Sequence, residues 1–256
     1  MLAHKSIGRG RTCIFLHGFL ESMNMWQCLP LKDLGINCLF IDLPGHGLSK
    51  SSKIQSPEDG IEQTAIEVIA VIESLGIENF DILGHSMGGY VALEVKRLKA
   101  HCKKVILLNS NFWTDNPSKA NDRKRIAHLV TNSKSFFLQK AIPGLFTDSN
   151  KFQLEINQLI KEASMMESKA IGDASIAMAS RMDFTKLICL QDLYIIHGVK
   201  DRLVSSEQFK GLGILKGQFF ELQKAGHMSH IESPEEVIEA LKVILNTPAN
   251  NSNKNI

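Results

Sequence analysis

One serine in this chain stands where a serine can act as a nucleophile. Gly84-His85-Ser86-Met87-Gly88 follows the apolar run Phe80-Asp81-Ile82-Leu83 and opens onto a helical pattern. A tight strand-to-helix turn leaves little room for side chains at its flanks, which the glycines satisfy, and it lifts the serine hydroxyl above the sheet. A hydroxyl is a weak nucleophile until a base removes its proton. Among nine histidines, His227 lies in Ala225-Gly226-His227-Met228-Ser229, just past the last expected strand. Residues that act on ligands gather at such C-terminal strand ends of parallel sheets. His230 is the nearest rival, close to a helix start, while His4, His101 and His128 read as surface residues. The base in turn needs a carboxylate to fix its tautomer. Asp201, in the loop after the run 193–196, is the candidate; the other strand end reads Asn109-Ser110-Asn111, with no acid before Asp115.

Acyl transfer also requires two N–H donors for the developing oxyanion, and losing one costs about 10²- to 10³-fold in rate. Met87, directly after the nucleophile, is one expected donor, and Phe19, in His17-Gly18-Phe19 after the first strong strand, is the other. This chemistry calls for no cofactor. No metal is expected either, because His227 and His230 lack a credible third ligand.

The elements needed to position these groups are legible as an alternation. Thr12–Leu16, Asn37–Ile41, Phe80–Leu83, Val105–Leu108, Leu193–Ile196 and Gln218–Leu222 read as strands. Helices are expected over residues 61–75 and 87–99, and a short one over 26–34. A final helix covers 234–245, with Ser233 as N-cap and Pro234 in the first turn. Strands alternating with helices imply a parallel sheet flanked by helices, an α/β fold. Between the fourth and fifth of these strands the pattern turns helical, with apolar faces at Ile126, Leu129 and Val130, at Ile156, Leu159, Ile160 and Ala163, and at Ala170, Ala174, Ala177 and Met178. We therefore expect a core of residues 1–110 and 185–246, a helical lid at 111–184, and a polar, disordered tail at 247–256.

Composition excludes several function classes. A chain of 256 residues with 44% apolar and 22% charged residues is neither disordered nor a membrane protein by composition. A net charge of +2, with no basic stripe, gives no ground for nucleic-acid binding; Arg123-Lys124-Arg125 reads as a solvated helix face. No run approaches a membrane span or a signal-peptide core. Five cysteines without a CxxC pair read as reduced thiols, which favours a cytoplasmic location. The oligomeric state is not indicated.

The blocks taken together resemble the α/β-hydrolase family in its lid-bearing, single-domain form. The resemblance runs from Phe15-Leu16-His17-Gly18-Phe19 through Asp42-Leu43-Pro44-Gly45-His46-Gly47-Leu48-Ser49 and the serine turn to Glu232-Ser233-Pro234-Glu235. It implies the order Ser86, Asp201, His227 for the triad, and packing roles for His17, Asp42, His46 and His85. The chain departs from the family pattern in its short N-terminal strand region, at most Leu2–Ile7, and in Asp192-Leu193 where a proline is usual. The expected activity is hydrolysis of a small or apolar carboxylic ester through an acyl-enzyme on Ser86. Trp113, Phe137 and Phe146 are expected to line the substrate site. The alternatives are a lyase similar to the menaquinone-pathway synthase, a thioester or carbon–carbon bond hydrolase, and a slow-turnover ligand receptor or signalling partner. That synthase usually carries arginine where this chain has Tyr90, although Arg123, Arg125 and Arg181 could supply cations from the lid.

Overall fold

The strand segments are apolar at nearly every position, so a sheet built from them needs cover on both faces. A computed structural model describes residues 1–51, 56–99, 101–186 and 190–248. Its strands are β1 (His4–Ile7), β2 (Thr12–Leu16), β3 (Asn37–Ile41), β4 (Phe80–His85), β5 (Cys102–Leu108), β6 (Leu193–Gly198) and β7 (Phe219–Leu222). They form one sheet in the order β1-β3-β2-β4-β5-β6-β7. Only β1 runs antiparallel, beside β3; the other pairings are parallel. From β2 the chain first adds β3 on one side and then β4 on the other, so strand order reverses between β2 and β4. Crevices at such reversals, outside the C-terminal strand ends, are where open α/β sheets bind ligands.

The helices are α1 (Gly60–Ser74), α2 (Met87–Leu98), α3 (Pro117–Ala141), α4 (Gln153–Ser164), α5 (Ser168–Ala179), α6 (Ser229–Glu232) and α7 (Pro234–Asn246). The period-two alternation of strand side chains divides the core. Ile14, Leu39, Ile82, Val105 and Ile195 pack with α1 and α2 residues such as Val68 and Val91. Their sequence neighbours Phe15, Phe40, Leu83, Ile106 and Ile196 pack with Val237, Leu241 and Ile244 of α7. The segment between β5 and β6 has its own core of Val130, Leu138, Ile156, Leu159 and Ile171, which closes against Leu20 and Met228 from loops at the sheet's C-terminal edge.

Some local expectations need correction. The short helix expected at 26–34 is two 3₁₀ turns, Met23–Cys28 and Leu31–Leu34, separated at Pro30; proline lacks the N–H that a continuous helix would use there. Ser233 occupies the N-cap of α7, but its side chain makes no capping bond. Leu129 is exposed, not on the inner face of α3, and that helix kinks at Ser133, where φ is −140°. Cys13, Cys38 and Cys102 are buried and Cys28 is exposed, all four as free thiols. Cys189 and residues 249–256 of the expected tail lie outside the described residues.

The packing of α2 onto the sheet leaves no room at Gly88. A Cβ there would stand 2.4 Å from the Leu16 carbonyl oxygen and 2.6 Å from that of His17. Alanine improves helix propensity by about 1 kcal/mol over glycine, yet backbone atoms at that distance cannot yield as a flexible side chain would. Gly88→Ala is therefore expected to lower stability by a net ~1–3 kcal/mol, read from the urea midpoint; a raised midpoint would show that α2 does not approach β2 so closely.

Candidate active site

Ser86 ends the run of β4 and caps α2, with φ 48° and ψ −114°. Such a conformation costs about 1–3 kcal/mol in a non-glycine residue and persists only where the surroundings impose it. Here three hydrogen bonds do so. The Ser86 N–H donates to the Leu108 carbonyl at 3.0 Å, and the Ser86 carbonyl accepts from the Gly89 N–H at 3.0 Å and from the Ser110 hydroxyl at 2.6 Å. A Cβ on Gly84 would lie 2.2 Å from the Gly88 carbonyl, which is why glycine brackets the turn.

The sheet's C-terminal edge brings the three expected residues together. His227 Nε2 lies 3.0 Å from Ser86 Oγ, and His227 Nδ1 lies 2.9 Å from Asp201 Oδ2. The carboxylate only accepts, so Nδ1 carries the proton and Nε2 is free to accept from the serine hydroxyl. Asp201 also accepts from the N–H groups of Leu203 at 2.8 Å and Val204 at 3.2 Å. Burial alone would raise its pKa, but His227 beside it and these donors hold it well below the usual carboxylate range.

A residue that the sequence reading passed over completes this anchorage. Asn109, at the end of β5 with φ 46°, donates from Nδ2 to Asp201 Oδ2 at 3.1 Å and to the Gly226 carbonyl at 2.9 Å. Its Oδ1 accepts from the Ser229 hydroxyl. Only the absence of an acid was noted at that strand end; a polar residue closing an apolar strand was the available signal. Glu21 was missed as well. It is 2% exposed, and its Oε2 accepts from the Gly18 N–H at 2.5 Å and from His85 Nδ1 at 2.9 Å. An acid in the loop directly after β2 was the only sequence trace of it.

His230, the rival base, is buried between Trp26 and His85, and neither of its ring nitrogens has a hydrogen-bond partner among the described residues. It does not reach Ser86.

A cavity of about 340 Å³ opens over Ser86 and His227. Phe19, Leu20, Leu203 and Val204 from the sheet's edge and Ile126, Phe137, Leu145 and Met178 from the helical segment line it, with Lys119, Asp122 and Arg123 among the polar wall residues. The three aromatic wall residues expected from sequence divide: Phe137 lines the cavity, but Trp113 and Phe146 do not. Trp113 packs edge-on against Phe112 and Phe209, and Phe146 packs on Phe152 within the helical core. Of the three lid arginines, only Arg123 reaches the wall, and it is paired with Asp115. Arg181 is buried, bonded to Asp115 at 2.9 Å and stacked over the Tyr90 ring at 4.1 Å. Arg125 points outward and pairs with Asp122. Among the described residues no group of side chains could hold a metal ion.

Around the site the imidazoles are sorted by burial. His17 Nδ1 donates to the Gly18 carbonyl at 2.8 Å while its Nε2 accepts from the Leu43 N–H at 2.9 Å, so the ring is neutral; burial lowers its pKa to about 4. Burial lowers His46 to about 3 and His230 to about 3. These three take up protons only on unfolding, from an ordinary value of 6.5. Their contribution to stability is therefore full above that value and is lost as pH falls toward the folded values. His85 acts in the opposite sense: burial works against its charge, but Glu21 outweighs burial and raises its pKa. Burial lowers His197 as well, so four imidazoles against one predict a net loss of stability on acidification from pH 7 to 5, before the carboxylates titrate, of roughly 1 kcal/mol per pH unit for each of His17, His46 and His230. Urea midpoints at pH 7, 6 and 5 check this; a constant midpoint down to pH 5 would contradict the neutral assignments.

Comparison with known proteins matches this arrangement to a family. A family model described as "Alpha/beta hydrolase family" aligns with residues 13–240. Among curated relatives, the chloroplastic protein PHYLLO of Arabidopsis thaliana is 24% identical over 272 residues, covering 95% of this chain, which spans 16% of that protein's length. A putative 2-succinyl-6-hydroxy-2,4-cyclohexadiene-1-carboxylate synthase of Haemophilus influenzae is 26% identical over 238 residues, covering 86% of this chain and 91% of the relative. Among solved structures, a thermophilic esterase from Thermogutta terrifontis superposes with a TM-score of 0.84 at 24% identity, over 95% of this chain and 92% of that one. The enol-lactonase from Burkholderia xenovorans LB400 gives 0.84 at 19% identity, over 96% of both chains. The structural likenesses establish fold alone, and the family match over residues 13–240 establishes that this chain belongs to the alpha/beta hydrolase family.

Proposed function

We propose that the protein is a serine hydrolase that cleaves a small or apolar carboxylic ester through an acyl-enzyme on Ser86. The observation that carries this reading is the unbroken line Asp201–His227–Ser86, with spacings of 2.9 and 3.0 Å, which ends on the wall of the cavity. Ser86 Oγ attacks the ester carbonyl as His227 Nε2 takes its proton. The negative charge that forms on the carbonyl oxygen is met by the N–H groups of Phe19 and Met87. Met87 opens α2, so its N–H has no intrahelical acceptor, and neither N–H has another acceptor among the described residues. His227 then protonates the departing alcohol, and afterwards removes a proton from the water that releases the acyl group.

Residues 111–184 act in this account as a lid that selects the substrate. Its contribution to the wall is mostly apolar, and the wall cations Lys119 and Arg123 both face Asp115, which Arg181 shares. The apolar wall favours an uncharged acyl chain.

A lyase acting on an anionic substrate is the second reading, favoured by curated relatives named as synthases at 24–26% identity. Against it, Tyr90 stands where that family usually has arginine, and the buried Arg181 over its ring is committed to Asp115 and the Trp113 carbonyl.

A series of p-nitrophenyl esters from acetate to laurate, with wild type and Ser86→Ala, tests the proposal. A cavity of about 340 Å³ is near the lower end of the roughly 300–1,000 Å³ typical of small-molecule sites. The expected result is a short- to medium-chain optimum, a kcat within about 1–10³ s⁻¹, and a loss of at least ~10³-fold in Ser86→Ala. No Ser86-dependent turnover on any ester would reject the esterase reading in favour of the lyase or of a slow-turnover receptor.

A further inference from the structure

One carboxylate, with the histidine it pairs, joins three of the four loops that make up the site. Glu21 lies in the loop after β2; through a single oxygen, Oε2, it accepts from the Gly18 N–H at 2.5 Å and from His85 Nδ1 at 2.9 Å. Gly18 directly precedes Phe19, and His85 directly precedes Ser86. On its other side, His85 Nε2 lies 2.9 Å from the carbonyl oxygen of His227. All of these groups are buried: side-chain exposure is 1% for both Glu21 and His85.

The identity of the partners fixes the protonation. The His227 carbonyl can only accept, so His85 Nε2 must carry a proton. Burial would raise the Glu21 pKa, but the His85 ring beside it brings it down to about 2; the ionised carboxylate only accepts, so Nδ1 carries a proton too. A ring that donates from both nitrogens is an imidazolium, and in a dry interior it requires an adjacent anion. An amide in place of the carboxylate breaks the arrangement. If its oxygen takes the place of Oε2, then either the imidazolium loses its counter-charge or a neutral ring turns an unprotonated Nε2 toward the His227 carbonyl, acceptor against acceptor. If its nitrogen takes that place, the bond from Gly18 is lost.

We propose that the Glu21–His85 ion pair is a positioning unit that sets the Phe19 N–H, the Ser86 turn and the His227 loop in register for attack at Ser86. Both residues border the cavity beside Ser86, and they act on the reaction through their neighbours in the chain and through hydrogen bonds. The inference rests on the serine-nucleophile reading of the site, and its test is therefore independent of any ester. A fluorophosphonate probe reacts with an activated serine whatever its natural substrate: the Ser86 Oγ–P bond forms, the P–F bond breaks, fluoride leaves, and the serine proton passes to His227. The phosphoryl oxygen occupies the oxyanion position.

The measurement is the labelling rate of Ser86, resolved into kinact and KI, for wild type, Glu21→Gln, His85→Gln and the double variant, with folding checked by urea midpoint. Each single variant is expected to lower kinact at least tenfold with KI within about twofold, and the double variant is expected to cost no more than the worse single, as residues acting as one unit do. Should Glu21→Gln fail to fold, His85→Gln carries the same kinact test. Folded variants that label at the wild-type rate, or losses that multiply in the double variant, would overturn the proposal. So would a wild-type protein whose Ser86 does not label at all. A wild type that labels at Ser86 but turns over no ester would instead reject the esterase reading and leave the positioning unit standing.

Discussion

The site depends first on a backbone constraint at Ser86. Its φ of 48° turns the chain from β4 into α2 with no intervening residue and leaves the hydroxyl facing the cavity. That turn holds only because α2 can lie against the end of β2, which requires glycine at position 88, and because position 84 has no Cβ to meet the next turn. Hydrogen bonds from β5 then fix the turn in place: Leu108 accepts its N–H and Ser110 donates to its carbonyl. Ser86 thus stands at the reversal of strand order, beside the loop that carries Phe19. The cavity follows from the same geometry, since the helices between β5 and β6 must close over an edge already occupied by the loops after β2, β4 and β6.

A second level of organisation is electrostatic. The site keeps several ionisable groups out of water, and each is held in one protonation state by what faces it. Asp201 has donors on both oxygens, two from the backbone and two from side chains; a carboxylate served in this way stays ionised and keeps the His227 proton on Nδ1. His17 is neutral because one ring nitrogen must accept. His85 is charged because both of its nitrogens must donate. These assignments come from donor and acceptor geometry, and the net pKa shifts run in the same direction: burial decides it for His17, while charged and hydrogen-bonding partners outweigh burial for Asp201 and His85. Dry surroundings strengthen each of these interactions relative to water, so the energy spent on burying charge is converted into fixed orientation around Ser86.

Much of this was legible in the sequence, for identifiable reasons. The strands are short apolar runs bounded by breakers, and each proposed site residue sits just past the end of one: Phe19 after β2, Ser86 after β4, Asp201 after β6 and His227 after β7. Chain order and strand ends were therefore enough to bring Ser86, Asp201 and His227 together. What could not be read depends on contacts between distant segments. Nothing in Asn109-Ser110-Asn111 signals that the Asn109 amide bridges Asp201 and Gly226, and nothing in Leu20-Glu21-Ser22 signals a buried partner for His85. The wall residues could not be told apart for a related reason: Trp113, Phe137 and Phe146 are equally apolar, and only the packing of α3 and the turns after it decides that Phe137 faces the cavity while Phe146 turns to Phe152. The split of Trp26 to Leu34 into two 3₁₀ turns was signalled by Pro30.

The central claim is that bond cleavage passes through a covalent acyl group on Ser86. Rapid-quench mass spectrometry during the first turnover of a p-nitrophenyl ester, with peptide mapping, addresses it most directly. The account predicts a mass increase equal to the acyl group on the peptide that contains Ser86, formed with the burst of p-nitrophenol and absent in Ser86→Ala. Turnover accompanied by a burst but with the acyl group on another residue, or by none on the protein at all when deacylation limits the rate, would contradict it.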